Sequence, residues 1–281
     1  MALDPISSEM PRPLVLCADD FALNAPVSRG IAALAAQGRL SATSAMVLSP
    51  RWPHDVALLQ PLRGQLDVGL HLDWTSAFAM ASGHGLPLGA LMARAALGGL
   101  NRSAVRSVIE RQLDEFETQW KAPPDHIDGH QHVQQFRGIR EVLVEVVRRR
   151  YPQRSPWLRV SLAPGGQRDL KARIIAAWGA GALARQADRA HVPHAALLSG
   201  IYDFSGDQAA YAQSMAGWLR DAPAGTVLMC HPAEGVEADD TIGPARAKEG
   251  AYLASEAFAQ ALAEARVHLA RGSILFAAEP R

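Results

Sequence analysis

Several apolar runs in this sequence end on side chains that bind metals or move protons. Pro13-Leu-Val-Leu-Cys-Ala18 stops abruptly at Asp19 and Asp20. Two carboxylates that close repel each other unless one holds a cation or a proton. His71 sits late in the run Val68-Gly-Leu-His-Leu72. The segment His126-Ile-Asp128-Gly-His130-Gln-His132 puts a polar group at every second position. In an extended strand such residues point to one face. That face would gather three imidazoles and a carboxylate, a set that a packed core would not choose for stability. An aspartate of the Asp19-Asp20 pair, His71 and one histidine among His126, His130 and His132 thus form a candidate site for a divalent metal. Alternation alone leaves the choice of histidine open. Asp128 is expected to orient a ring. His231, in Met229-Cys-His-Pro232, ends another run, and Pro232 fixes the turn there. Arg159 could steer a carboxylate or a substrate oxygen, or be an ordinary ion-paired arginine. A lone aspartate would more often cap a helix, and a lone histidine would more often be structural. Their coincidence at several run ends favours the metal.

Such side chains must be carried to one place by the fold. Apolar runs predict strands at 13–18, 41–48, 66–72, 125–133, 157–160, 195–198, 226–230 and 274–277. Helical spacing falls at 53–60, 103–121, 139–150, 169–188, 209–220 and 255–270, and a further helix runs from a cap at Asn24 to about Gln37, with Gly38 at its end. This alternation predicts an α/β fold of parallel strands joined by right-handed crossovers. An irregular (β/α) barrel of seven or eight parallel strands, TIM-like, suits it better than an open doubly wound sheet. In either fold, sites form at the carboxyl ends of the strands. Residues 1–12 are expected to be a disordered leader, and 13–281 a single catalytic domain. Residues 75–101, rich in Gly and Ala, form an excursion and a candidate substrate lid.

Composition narrows the partners. Lys plus Arg and Asp plus Glu each number 28 among 281 residues. A zero formal charge offers no general attraction to nucleic acid or an anionic membrane. Cys17 and Cys230 form no Cys-x-x-Cys pair. The first residues lack a basic region followed by an apolar stretch, and no apolar segment is long enough to span a bilayer. A cytoplasmic protein is the expectation, and a homo-oligomer is left open.

Five motifs carry a resemblance. Ala18-Asp19-Asp20-Phe21, Gly69-Leu70-His71-Leu72, His126-Ile-Asp128-Gly-His130-Gln-His132, Leu158-Arg159 and Cys230-His231-Pro232 occur in the order found in the YdjC-like family of carbohydrate deacetylases, which the chain resembles from about residue 13 to 277. The resemblance implies an irregular (β/α) barrel, one divalent metal ion (zinc or magnesium) and removal of an N-acetyl group from an amino sugar or oligosaccharide. It implies Asp20, His71 and His130 as ligands, Asp19 as general base and His231 as general acid. His126, Asp128 and His132 would stand close behind. Two imidazoles favour zinc or another transition metal. One departure is Ala22, where the family usually has Gly. At positive φ an alanine would cost roughly 1 kcal/mol. Two other readings remain: a metal-dependent phosphoesterase or other amidohydrolase on the same barrel, and a non-catalytic sugar-binding protein. The first would often carry two metals and more carboxylates. The second would be marked by loss of Asp19 or His231, and both are present.

Overall fold

The computed structural model describes residues 10–167 and 170–277. Strand β1 (Arg12–Phe21) leads to helix α1 (Ala25–Ala36), β2 (Ala42–Ala45), α2 (Trp52–Asp55) and β3 (Asp67–Leu72). After β3 come α3 (Ala77–Ala81), α4 (Leu88–Ala96), α5 (Arg102–Trp120) and β4 (His126–Gly129). The chain continues through α6 (Ile139–Arg150), β5 (Trp157–Arg159), α7 (Leu170–Ala177) and α8 (Ala180–Ala190). Two short strands, β6 (His194–Ala195) and β7 (Leu198–Ser199), precede α9 (Gln208–Asp221) and β8 (Val227–Cys230). The described chain ends with α10 (Gly243–Leu253), α11 (Glu256–Glu264), β9 (Val267–Leu269) and α12 (Gly272–Leu275).

The strands pair in the order β6-β5-β4-β3-β2-β1-β8-β7, and β9 pairs with the start of β1. Every pairing between these strands is parallel. The result is a nearly closed barrel of eight parallel strands, open between β6 and β7. Strands buried on both faces read as apolar runs, and all six residues of β3 are buried. On α5, Val105, Ile109, Leu113, Phe116 and Trp120 form one buried stripe. Asn24 accepts from the Val27 amide at 3.0 Å, and Gly38 at φ 69° ends the α1 region, as their types predict.

Several elements differ from expectation, and the strand expected at 195–198 is split into β6 and β7 at the two edges of the barrel's opening. The strand expected at 125–133 stops at Gly129, because Gln131 and His132 adopt left-handed φ of 53° and 61°. The alternation of polar residues runs on past the strand into a turn. The helix expected at 169–188 is broken at Gly179, at φ 127°. A Cβ there would lie 2.3 Å from the Gln135 carbonyl oxygen. The helix expected at 255–270 ends at Glu264, and Arg266 at φ 51° turns the chain into β9. The strand expected at 274–277 is instead the helical turn α12 at Gly272–Leu275. Asp67 tethers it, accepting from the Ser273 amide and hydroxyl at 2.6 and 2.5 Å.

Of the expected leader, residues 1–9 lie outside the described residues, and β1 begins at Arg12. Its guanidinium donates to the Leu219 and Ala265 carbonyls at 2.9 and 3.1 Å, tying the strand to the ends of α9 and α11. The excursion after β3 is folded. Asp73 accepts from the Thr75 and Ser76 amides at 3.0 Å, and Ser76 caps α3. Leu91 and Ala95 of α4 are buried in the main core.

Candidate active site

Neighbouring residues on a flat strand point to opposite faces, so Asp19 and Asp20 should not share a site. They do, because β1 bulges there. Its register against β2 shifts between Ala18 and Phe21, and Asp20 takes φ 68°. A bulge re-aims one side chain. Asp19 now turns toward β5, and Asp20 toward β3 and the turn after β4. Ala22 follows at φ 72°, so the strain expected of an alanine at this position is present.

Asp20 Oδ1 lies 3.3 Å from His71 Nε2 and 3.1 Å from His130 Nδ1. These three residues each offer a ligand atom within 4.8 Å of one another. His71 and Asp128 are register partners on β3 and β4, and His71 Nδ1 lies 2.6 Å from Asp128 Oδ1. The other ring nitrogen is thereby turned to Asp20. Burial works against charge on this imidazole, but Asp128, Asp20 and Asp19 push it up to about 10. His130 reaches the site from the turn beyond β4. Gly129 makes that turn tight: a Cβ would stand 2.9–3.0 Å from Gln134 and Val133.

Two further groups of donors converge, Cys17 with His126 and Asp128, and Asp19 with His71 and Asp128. A guanidinium already serves their carboxylates. Arg159, fully buried at the end of β5, donates from Nη1 and Nη2 to Asp19 at 2.6 and 2.8 Å. Its Nη1 also lies 3.0 Å from Asp128 Oδ2. Asp20 also meets a guanidinium, Arg246, but only through Oδ2, so its Oδ1 stays free for His71 and His130, and these three residues are the candidate set for a divalent ion. Burial would raise the Asp19 carboxyl, but Arg159 holds it well below the usual range. Asp20 is likewise held down against burial, by Arg246.

His231 stands across from Asp19, with Nε2 3.9 Å from Asp19 Oδ2. Burial keeps this imidazole below its ordinary range, against the pull of Glu249 and Asp19. His126 and His132 do not join the ligand cluster of Asp20. His126 stacks on Trp157 with ring centroids 4.4 Å apart and packs over Gly69, where a Cβ would fall 2.4 Å from its ring. His132 Nδ1 lies 2.9 Å from the Ser161 hydroxyl, and burial, then Arg159, hold it down to about 3.

Of the residues expected from sequence, Asp19, Asp20, His71, Asp128, His130, Arg159 and His231 meet at one end of the barrel, while His126 and His132 pack against Trp157 and Ser161. Sequence reasoning missed Arg246, Glu249 and Ser44. The Ser44 hydroxyl stands between the halves of the site, 3.4 Å from Asp19 Oδ1 and 3.1 Å from His71 Nδ1. Its position at the buried end of β2, in register with Gly69, was the available signal.

This cluster sits on the motifs that carried the resemblance. The model of the family described as YdjC-like protein matches residues 13–264. The chain belongs to the YdjC-like family. A chitooligosaccharide deacetylase of Serratia marcescens is 33% identical over 138 residues, which are 44% of this chain and 51% of that protein. A carbohydrate deacetylase of Mus musculus is 29% identical over 146 residues, 48% of this chain and 46% of that protein. The chain thus spans about half the length of these YdjC-like relatives. A solved structure from Enterococcus faecalis V583, provisionally named a cellobiose-phosphate cleavage protein, shares the fold. Its TM-score is 0.71 at 19% identity, over 95% of this chain and 99% of that one. Among the described residues, no helix is long and apolar enough to cross a membrane.

Proposed function

We propose that this chain is a metal-dependent hydrolase that removes an N-acetyl group from an amino sugar or oligosaccharide. One observation carries the reading. Asp20, His71 and His130 converge within 4.8 Å, next to an ionised Asp19 and opposite His231. The names of the YdjC-like relatives support the N-acetyl sugar as substrate class.

Asp20, His71 and His130 would hold the ion, His71 through Nε2, since Nδ1 is engaged by Asp128. A divalent ion so held makes bound water acidic near neutral pH and polarises a carbonyl oxygen. Asp19 then has to accept a proton from the attacking water. Arg159 grips both of its oxygens, which keeps the carboxylate ionised and aimed. As the amide C–N bond breaks, the leaving nitrogen needs a proton. His231 starts uncharged, so it must receive a proton before it can give one. Asp19 Oδ2 lies 3.9 Å from its Nε2, beyond a direct hydrogen bond, so the proton taken from water would reach His231 through one bridging water and end on the amine.

A two-metal phosphoesterase would place a second cation between carboxylates such as Asp19 and Asp128. Arg159 occupies that place. The test is acetate release from N-acetylglucosamine oligomers by metal-loaded protein. Chelation should abolish release, and Asp19→Asn should lower kcat by about 10²–10⁴-fold. No release from any N-acetyl substrate, or Asp19→Asn at the wild-type rate, would sink the proposal.

A further inference from the structure

Helix α10 belongs to none of the sequence motifs, yet it touches both halves of the site. Arg246 and Glu249, three residues apart, share one face of it. Their relative exposures are 3% and 0%. We propose that α10 is a positioning element, in which Arg246 sets the carboxylate of Asp20 and Glu249 sets His231. The inference rests on the reading of Asp20 as ligand and His231 as proton donor.

Arg246 Nη2 donates to Asp20 Oδ2 at 2.7 Å, while its Nε lies 2.8 Å from Asp240 Oδ2. Anchored by Asp240, the guanidinium takes one oxygen of Asp20 and leaves Oδ1 turned to His71 and His130. A carboxylate so oriented before an ion arrives has lost less freedom on binding it. Glu249 does the corresponding work for the imidazole. Its Oε2 accepts from the His231 amide at 2.6 Å and the Tyr211 hydroxyl at 3.3 Å. Its Oε1 accepts from the Tyr202 hydroxyl at 2.6 Å and lies 4.0 Å from His231 Nδ1. That nitrogen is buried and has no hydrogen-bond partner among the described residues. An imidazole that gains a proton donates from both nitrogens. Glu249 is the anion that faces the second one.

The helix is docked closely enough to act as a gauge. A Cβ on Gly250 would stand 2.4 Å from the Ala233 carbonyl oxygen. From the other side, a Cβ on Gly30 of α1 would stand 2.6 Å from the Glu234 amide nitrogen. The Ala233 amide donates to the Arg246 carbonyl at 3.1 Å, and the Glu234 amide to Pro26 at 2.9 Å. The segment that carries His231 is therefore clamped between α1 and α10, and α10 also holds Asp20. The separation of ligand and proton donor is set by a single turn of helix.

The experiment titrates zinc into the metal-stripped full chain by calorimetry and measures steady-state acetate release on the same samples. Arg246→Met should weaken zinc binding by about 10–100-fold, and its rate should recover at saturating zinc. Glu249→Gln should bind zinc as wild type does and lose about tenfold or more in kcat at unchanged KM. If both variants shift the same quantities by similar factors, or neither shifts any, the inference is overturned. Should either variant fail to fold, Arg246→Lys and Glu249→Asp keep the charge and must show the same split, reduced in size. A wild-type chain that neither binds zinc nor releases acetate overturns the functional reading instead. Binding and release in wild type, without the split, overturn only the role of α10.

Discussion

Asp19 and Asp20 stand at the carboxyl end of the barrel, and Asp67 and Asp125 stand at the amino ends of β3 and β4. Both are close pairs of buried or half-buried acids, and their surroundings separate them. Each acid of the upper pair meets a buried guanidinium, Arg159 or Arg246, and is held ionised. The lower pair meets mostly neutral donors. Asp67 accepts from the Trp157 indole at 3.1 Å and from Ser273, and Asp125 accepts from the Val68 amide at 3.0 Å. Among the described residues, the cation paired with Asp125 is Arg154, at 3.7 Å and 82% exposed. Burial and the charge of Asp67 push Asp125 up to about 6. Backbone strain divides the same way. Lys121 and His191 take left-handed conformations at the ordinary ends of α5 and α8. Asp20, Ala22, Gln131 and His132 take them between a strand and the site. Close acids alone do not mark a functional centre. Buried cations that keep them charged, and left-handed backbone beside them, are what set the candidate site apart.

The largest effect is expected at Arg159. Arg159→Met leaves Asp19 and Asp128 buried without their cation, and metal-free protein should lose about 3–5 kcal/mol in denaturant unfolding. A loss below about 1 kcal/mol would mean that the pair is not held by this arginine. The lower pair should respond to pH instead. Asp125 keeps its proton in the folded chain up to about pH 6, whereas the unfolded chain releases it near 3.8. Protons bound by the folded state alone make stability fall as pH rises through that window. Asp125→Asn should remove this slope and gain about 1–2 kcal/mol at pH 7, a value reduced for partial exposure. An unchanged slope would show that Asp125 is not the group that titrates in this window. The smallest effect belongs to Ala22. Ala22→Gly relieves φ 72° but frees the unfolded chain and removes a buried methyl, so stability should change by no more than about 1 kcal/mol. A larger loss would place the strain elsewhere.

Much of this arrangement was legible in the chain itself. Alternating apolar runs announced the barrel because parallel strands are buried on both faces. The candidate ligand and acid–base residues showed themselves as polar interruptions at run ends. Three things were hidden for physical reasons. The bulge that lets Asp19 and Asp20 face one site is a backbone property with no residue signature, since neither is glycine. The polar alternation from His126 to His132 continued through a turn, so a period of two overstated the strand. Arg246 and Glu249 lie in Gly-Pro-Ala-Arg-Ala-Lys-Glu-Gly, a stretch with few large apolar residues, and their partners are more than 200 and 18 residues away. Long-range charge pairing leaves no local pattern.

In the proposed function the two adjacent aspartates differ in role, Asp20 binding the ion and Asp19 taking the proton. Bound zinc per chain, measured after equilibration for wild type, Asp19→Asn and Asp20→Asn, tests that division directly. Wild type and Asp19→Asn should retain the ion, and Asp20→Asn should lose it. Retention by Asp20→Asn, or equal loss from both variants, would contradict the account.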